Sequence, residues 1–266
     1  ITTGCVLLGA ILGSFFNVLI YRVPRGESVV RPRSHCPQCK EPVRWFENIP
    51  LLSFIALRGA CRHCRKPISW QYPIVEVITA LGAGALWEVY VRPLLALNGY
   101  SATAVVVSSV SALALLMLIP ITIIDMVHYI IPDAFTLPWL AASLGLSFVP
   151  GGLSPLQSLL GIAAGGGTLY VIGWLGEELF KKGEAMGGGD IKLMAWFGAL
   201  WGWKVALMAI VFASFVGAVG GIGLILGGKL ARDRRLPFGP FLAVGIWSAV
   251  LWGEQILAWY WRFVVS

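Results

Sequence analysis

The chain has 266 residues, of which 58% are apolar and only 12% charged, and its mean hydropathy is +0.80. These values exclude an ordinary soluble domain and a disordered chain, and they place the protein in a bilayer. The net charge of +7 would suit nucleic acid if it formed a stripe, but the basic residues gather in a few loops, so no nucleic-acid partner is expected.

Apolar runs predict helical spans near 3–20, 71–90, 103–124, 135–149, 155–175, 190–201, 203–227 and 238–260, each bounded by polar or Gly/Pro-rich connections. The first, from about Cys5 to Ile20, has no basic flank before it and no small-residue cleavage site after it, so it reads as a retained span. The stretch Ile191–Leu226 is 36 residues; as one helix it would run roughly 54 Å against a hydrocarbon core of about 30 Å. Trp201-Gly202-Trp203-Lys204 is the expected break, because Gly weakens a helix and aromatic or charged groups favour the interface. The expected fold is an all-α polytopic membrane protein of about eight transmembrane helices. Ten of the 20 Lys and Arg lie between Arg22 and Lys66. Two more lie at Lys181 and Lys182, and four at Lys229, Arg232, Arg234 and Arg235. By the positive-inside rule these three segments face the cytoplasm and both chain ends face outward. The abundant glycine reads as close helix packing.

Between the first two spans, Arg22–Trp70 forms the only sizeable soluble insertion. At this size a domain needs a staple, and the loop carries four of the five cysteines. Cys36-Pro-Gln-Cys39 and Cys61-Arg-His-Cys64 are two C-x2-C pairs, the spacing by which two tight turns offer four thiolates to one tetrahedral ion. Zinc is favoured, since soft thiolates suit it and a reducing cytoplasm disfavours disulfides. Four cysteines complete the shell, leaving His35 and His63 as non-ligands, and Cys5 reads as a small core residue.

Acids near apolar runs need a reason to be there. Asp125 ends the third span, and Asp190 closes Gly187-Gly188-Gly189-Asp190 at the start of another. The hairpin 135–149/155–175 returns the chain so that both acids lie at about the same depth. Two carboxylates meeting inside a helix bundle suit peptide hydrolysis, in which one takes a proton from water while its protonated partner polarises the scissile carbonyl. Gly187 and Gly189 lack side chains and would let backbone approach an extended substrate. A helix-capping role for Asp190 remains the structural alternative, and Asp133 after Pro132 fits a cap of the fourth span. His128 fits an interfacial polar group. Glu76 is open between a salt bridge and a substrate-facing role, and Glu254 has no evident partner.

The segments Leu12-Gly13-Ser14-Phe15-Phe16-Asn17, Glu47-Asn48-Ile49-Pro50-Leu51-Leu52-Ser53, Leu57-Arg58-Gly59, Tyr72-Pro73-Ile74-Val75-Glu76, Ile124-Asp125 through Ile131-Pro132-Asp133, and Met186-Gly187-Gly188-Gly189-Asp190-Ile191-Lys192-Leu193 resemble the signatures of the type IV prepilin peptidases over nearly the whole chain. The last is similar to the GxGD form shared with presenilin-like proteases. The resemblance implies that Asp125 and Asp190 are the catalytic pair and that the substrates are prepilins or pseudopilins. It further implies that the leader is cut after a Gly at the cytoplasmic face of the inner membrane, and that S-adenosylmethionine methylates the new N-terminus. One departure is Ala60, where relatives often carry a basic residue. The expected organisation is a first transmembrane helix at 1–20, a zinc-binding, methyltransferase-associated cytoplasmic loop at 21–70, and a protease bundle at 71–266 in contact with membrane lipids. Two other readings compete. One is an ion or proton-coupled transporter using the intramembrane acids, although no inverted repeat is evident. The other makes the zinc loop a docking module with structural acids.

Overall fold

A computed structural model describes residues 1–180, 186–227 and 236–265; the basic residues Lys181, Lys182, Lys229, Arg232, Arg234 and Arg235 lie outside them. The described residues are helical with no β-sheet, only two isolated bridges, His35 with Pro42 and Ala60 with Pro67. In chain order the helices are α1 (Thr2–Arg22), α2 (Leu52–Ala56), α3 (Gln71–Leu86), α4 (Arg92–Asn98), α5 (Ala102–His128), α6 (Asp133–Leu146), α7 (Pro155–Ile162), α8 (Thr168–Phe180), α9 (Gly188–Leu226) and α10 (Gly239–Val265). Wide π turns at Trp87–Val91 and Ala163–Gly167 join α3 to α4 and α7 to α8 without ending the helices.

Six stretches among the described residues are long and apolar enough to cross a membrane: Thr2–Arg25, Gln71–Asn98, Ala102–His128, Pro155–Leu179, Gly188–Leu224 and Gly239–Phe263. Two features separate this count from the expected eight. Helix α6 has 14 residues, about 21 Å at 1.5 Å per residue, which falls short of a full crossing. The expected spans 190–201 and 203–227 run on as α9, interrupted by non-helical Gly202 (φ 82°, ψ 175°). The break therefore sits where the sequence places it, in a backbone region that only glycine enters cheaply.

The chain divides into two compact units, Ile1–Leu97 with Ser108–Pro120, and Asn98–Val107 with Ile121–Ser266. Both use one packing device. Helices in lipid gain little from hydrophobic burial against each other, so small residues four apart let backbones approach. In the first unit, a Cβ on Gly9 would lie 2.6 Å from the Ala83 Cβ, and one on Gly13 2.7 Å from the Glu76 Cα, so α1 lies directly against α3. In the second, a Cβ on Gly161 would lie 1.9 Å from the Gly198 carbonyl oxygen, and one on Gly165 2.3 Å from that of Met194. Residues Leu193–Ala199 are consequently buried on every side of the helix, with Trp196 at their centre stacked on Trp139 of α6, ring centroids 5.6 Å apart.

Candidate active site and metal centre

Asp125 lies one turn before the end of α5, which closes on Tyr129 in the left-handed region (φ 57°), its N–H bonded to the Asp125 carbonyl. The Asp125 side chain is 5% exposed. Its Oδ2 accepts a 2.9 Å hydrogen bond from the backbone N–H of Gly239, 114 residues later at the start of α10. Asp190 is the third residue of α9 and 9% exposed. Its carboxylate turns back toward Gly187. The Asp190 Oδ1 is buried with no hydrogen-bond partner, and no ion pair to either acid occurs among the described residues. Both acids belong to the second unit.

The elements around Asp190 explain its placement. The glycine-rich π turn Ala163–Gly167 presses on the first turns of α9: Gly165 backs onto the Met194 carbonyl, and Gly166 onto Ala195 and the Ile191 carbonyl. From the other side Ile131 fills the space over Gly189, where a Cβ would come within 2.8 Å of the Ile131 Cβ. The loop after α5 is thus seated on the residue next to Asp190. Gly187 is exposed, and a Cβ there would lie 2.9 Å from the Asp190 Oδ2. Asp133 begins α6 but does not cap it; both carboxylate oxygens accept from Lys192 Nζ, at 2.7 and 2.8 Å. This ion pair joins the start of α6 to the start of α9. His128 is exposed.

In the first unit, four thiols lie within 4.8 Å of one another, with Cys36–Cys64 and Cys39–Cys61 Sγ separations of 3.9 and 4.0 Å. Tetrahedral zinc with Zn–S near 2.3 Å needs edges of about 3.8 Å, so the donors fit. The two turns are near duplicates. In each, the first cysteine's N–H bonds to a carbonyl five residues on (Glu41, Lys66), and its carbonyl accepts from a residue in the left-handed region, Lys40 (φ 62°) or Arg65 (φ 58°). Arg62 of the second turn reaches Glu47 at 3.2 Å, and Lys66 reaches Gln38 of the first at 3.0 Å. The Arg44 amide and then Arg62 hold the Glu47 carboxyl below its usual range despite some desolvation.

Among the thiols, burial resists ionisation of Cys36, but the Cys39 and Gln38 amides outweigh it and bring Cys36 down to about 7. The Cys64 and His63 amides lower Cys61. For Cys39 the Glu41 amide favours the thiolate, yet desolvation and the three neighbouring thiols push it to about 11. Two turns offering N–H groups to sulfur favour thiolates, and four crowded sulfurs call for a cation to balance them.

Glu76 is buried in α3 and accepts a 2.8 Å hydrogen bond from the N–H of Leu51, a residue held at φ 62°. Glu76 thus fastens the loop to a spanning helix of its own unit, and no ion pair to it occurs among the described residues. Ala60 forms the bridge to Pro67 that closes the second cysteine turn. Sequence reasoning passed over Gly239 altogether; the signal was Pro237-Phe238-Gly239-Pro240, a glycine fixed between prolines at a helix start.

Two buried carboxylates without an ion-pair partner among the described residues, in a unit with membrane-length helices, suit a membrane enzyme or an ion carrier, and comparison with known proteins separates them. Residues 7–90 match the bacterial peptidase A24 N-terminal domain, and residues 112–222 match the type IV leader peptidase family. The chain is 37% identical over 278 residues to a prepilin leader peptidase/N-methyltransferase of Aeromonas hydrophila, covering 96% of this chain and 91% of that one. It is 33% identical over 285 residues to the protein so named in Pseudomonas aeruginosa, covering 97% and 92%. With that of Myxococcus xanthus it is 40% identical over 228 residues, covering 86% and 64%. No solved structure matches the chain significantly. The chain belongs to the type IV leader peptidase family.

Proposed function

We propose that Asp125 and Asp190 are the acid pair with which this member of the family hydrolyses its substrate. The family is that of enzymes cleaving the leader from prepilins and pseudopilins, with an associated N-methyltransferase activity, and the transport reading finds no support. The observation that supports the assignment is two buried carboxylates in one compact unit, Asp125 accepting a hydrogen bond from a backbone amide and Asp190 with an oxygen that has no partner among the described residues. In peptide hydrolysis the ionised member of such a pair draws a proton from water, while the protonated member donates to the scissile carbonyl. With Asp190 as the protonated member, its unused Oδ1 would carry the proton and donate it to an entering carbonyl oxygen without displacing an existing bond. Gly187, exposed beside that carboxylate, is proposed as the substrate-facing glycine. Gly189 is proposed with it through its backbone, Ile131 having taken the space above its Cα.

The four cysteines Cys36, Cys39, Cys61 and Cys64 would hold zinc as a structural staple. S-adenosylmethionine is the proposed methyl donor, supplying an electrophilic methyl group to the freed amine. The proposed organisation keeps a first helix at 1–20, the zinc loop at 21–70 and the protease bundle at 71–266. In the inner membrane the loop and both acids would face the cytoplasm, as the basic loop composition argues, and the exposed apolar side chains of α1 such as Leu7, Leu8 and Ile11 would meet lipid.

The test is cleavage of a prepilin-like peptide by detergent-solubilised enzyme and by Asp125→Asn and Asp190→Asn. Cutting by the unaltered protein and by neither variant is expected; cutting by either variant at the normal rate refutes the pair.

A further inference from the structure

We propose that the backbone N–H of Gly239 is a positioning group for catalysis, holding Asp125 by Oδ2 so that its Oδ1 is the oxygen presented to the reacting water. The inference rests on Asp125 being one of the working acids. Three observations carry it. The first is the bond itself, 2.9 Å between buried groups far apart in sequence. The second is the space around it. A Cβ on Gly239 would come within 2.6 Å of Oδ2 and 3.1 Å of Cγ, so no other residue allows Asp125 its present place.

The third is local chemistry. The first N–H groups of a helix have no partner within it. Gly239 is the first residue of α10, and Pro240 behind it has no N–H to compete and a fixed φ that starts the helix. The carbonyl of Phe238 is occupied by the N–H groups of Phe241 and Leu242, so the turn is already formed and the Gly239 amide is left pointing at the carboxylate. A charge-assisted bond from a rigid helix start fixes a carboxylate in orientation as well as position.

The same contact gives α10 a place in the site although it carries no acid in its first turn. Asp190 has its own backbone neighbour in Gly187. Each acid is thus set beside a glycine amide, and the Asp190 Oδ1 has no partner among the described residues.

The experiment compares Gly239→Ala with the unaltered enzyme in kcat and KM for a prepilin-like peptide, in the pH profile of kcat, and in N-methylation of an already cleaved pilin. Displacing a reacting group by about 1 Å costs on the order of 100-fold in rate. The expected result is a loss of that size in kcat, KM within about twofold, an altered pH profile and retained methylation. A normal kcat and pH profile in Gly239→Ala, while Asp125→Asn is inactive, overturns the positioning role; cleavage by Asp125→Asn instead overturns the reading of the acids. Hydrogen exchange of the Gly239 amide in 15N-glycine-labelled protein guards against a variant that fails to fold. That amide should be protected in the unaltered protein and exchange faster in Asp125→Ala. Equal exchange in the two also overturns the proposal.

Discussion

Replacing Gly165 by alanine, with Gly167→Ala beside it, isolates the contact that seats the helix bearing Asp190. A Cβ at Gly165 would lie 2.3 Å from the Met194 carbonyl oxygen and 2.9 Å from its carbon, whereas one at Gly167, two residues on in the same glycine run, meets nothing within 4 Å. Relieving the first clash moves the α9 backbone away by close to 1 Å. Met194 is one turn from Asp190, about 6 Å along the axis, so the shift reaches the carboxylate almost undiminished. A 1 Å misplacement is worth on the order of 100-fold in rate. Overpacking costs about 1–3 kcal/mol, while the better helix propensity of Ala returns about 1 kcal/mol, so Gly165→Ala should remain folded while losing cleavage. Gly167→Ala should cut within about twofold of normal and melt slightly higher, since it gains propensity without the clash. The assay is kcat for leader cleavage, read beside thermal unfolding and methylation of a cleaved pilin. Equal activity of the two variants would refute the argument that backbone contact with this turn places Asp190.

Replacing Cys36, Cys39, Cys61 or Cys64 by serine should abolish stoichiometric metal binding, measured by metal analysis of purified protein; one tightly held equivalent in any single variant would sink the four-thiolate site. The Asp133–Lys192 pair is solvent-facing, so a double-mutant cycle with Asp133→Asn and Lys192→Met should give a coupling below about 1 kcal/mol. A coupling several times larger would mean that the pair does more than tie two helix starts. Glu76→Ala leaves the Leu51 amide without its acceptor while Leu51 holds a strained backbone angle, a local loss of about 1–3 kcal/mol. Limited proteolysis should then cut between residues 44 and 58 faster than in the unaltered chain, and unchanged cutting would argue against Glu76 as the fastener.

Features encoded by short-range chemistry were legible in the sequence. The cysteine spacing forecast four sulfurs within one coordination sphere, and Trp201-Gly202-Trp203 forecast the interruption of α9 because glycine alone tolerates the backbone angles found there. Asp125 and Asp190 stood out because acids are rare in this chain, and the structure brings them into one unit. What escaped depended on partners distant in sequence. Gly239 drew no attention in the sequence because the carboxylate its amide meets lies 114 residues earlier. Asp133 had the local signature of a cap, and only the arrival of α9 supplied Lys192 as a stronger partner. Glu76 was ambiguous for the same reason, its acceptor role depending on a loop residue 25 positions earlier. The end of α6 was placed three residues too late because apolar composition runs past Leu146, while the last carbonyls of the helix are taken up by the turn through Ser147, Phe148 and Val149.

The duplicated cysteine turns make the loop a clasp. Each half is a self-contained hairpin that supplies two sulfurs, so neither holds a tetrahedral ion alone, and closing the clasp fixes both ends of residues 43–60 at one point. The entropy of closing such a ring grows only slowly with its length. The length of the enclosed stretch is therefore weakly constrained by ring closure itself, and what pins its path is the pairing of Glu47 with Arg62 and the tether of Leu51 to Glu76.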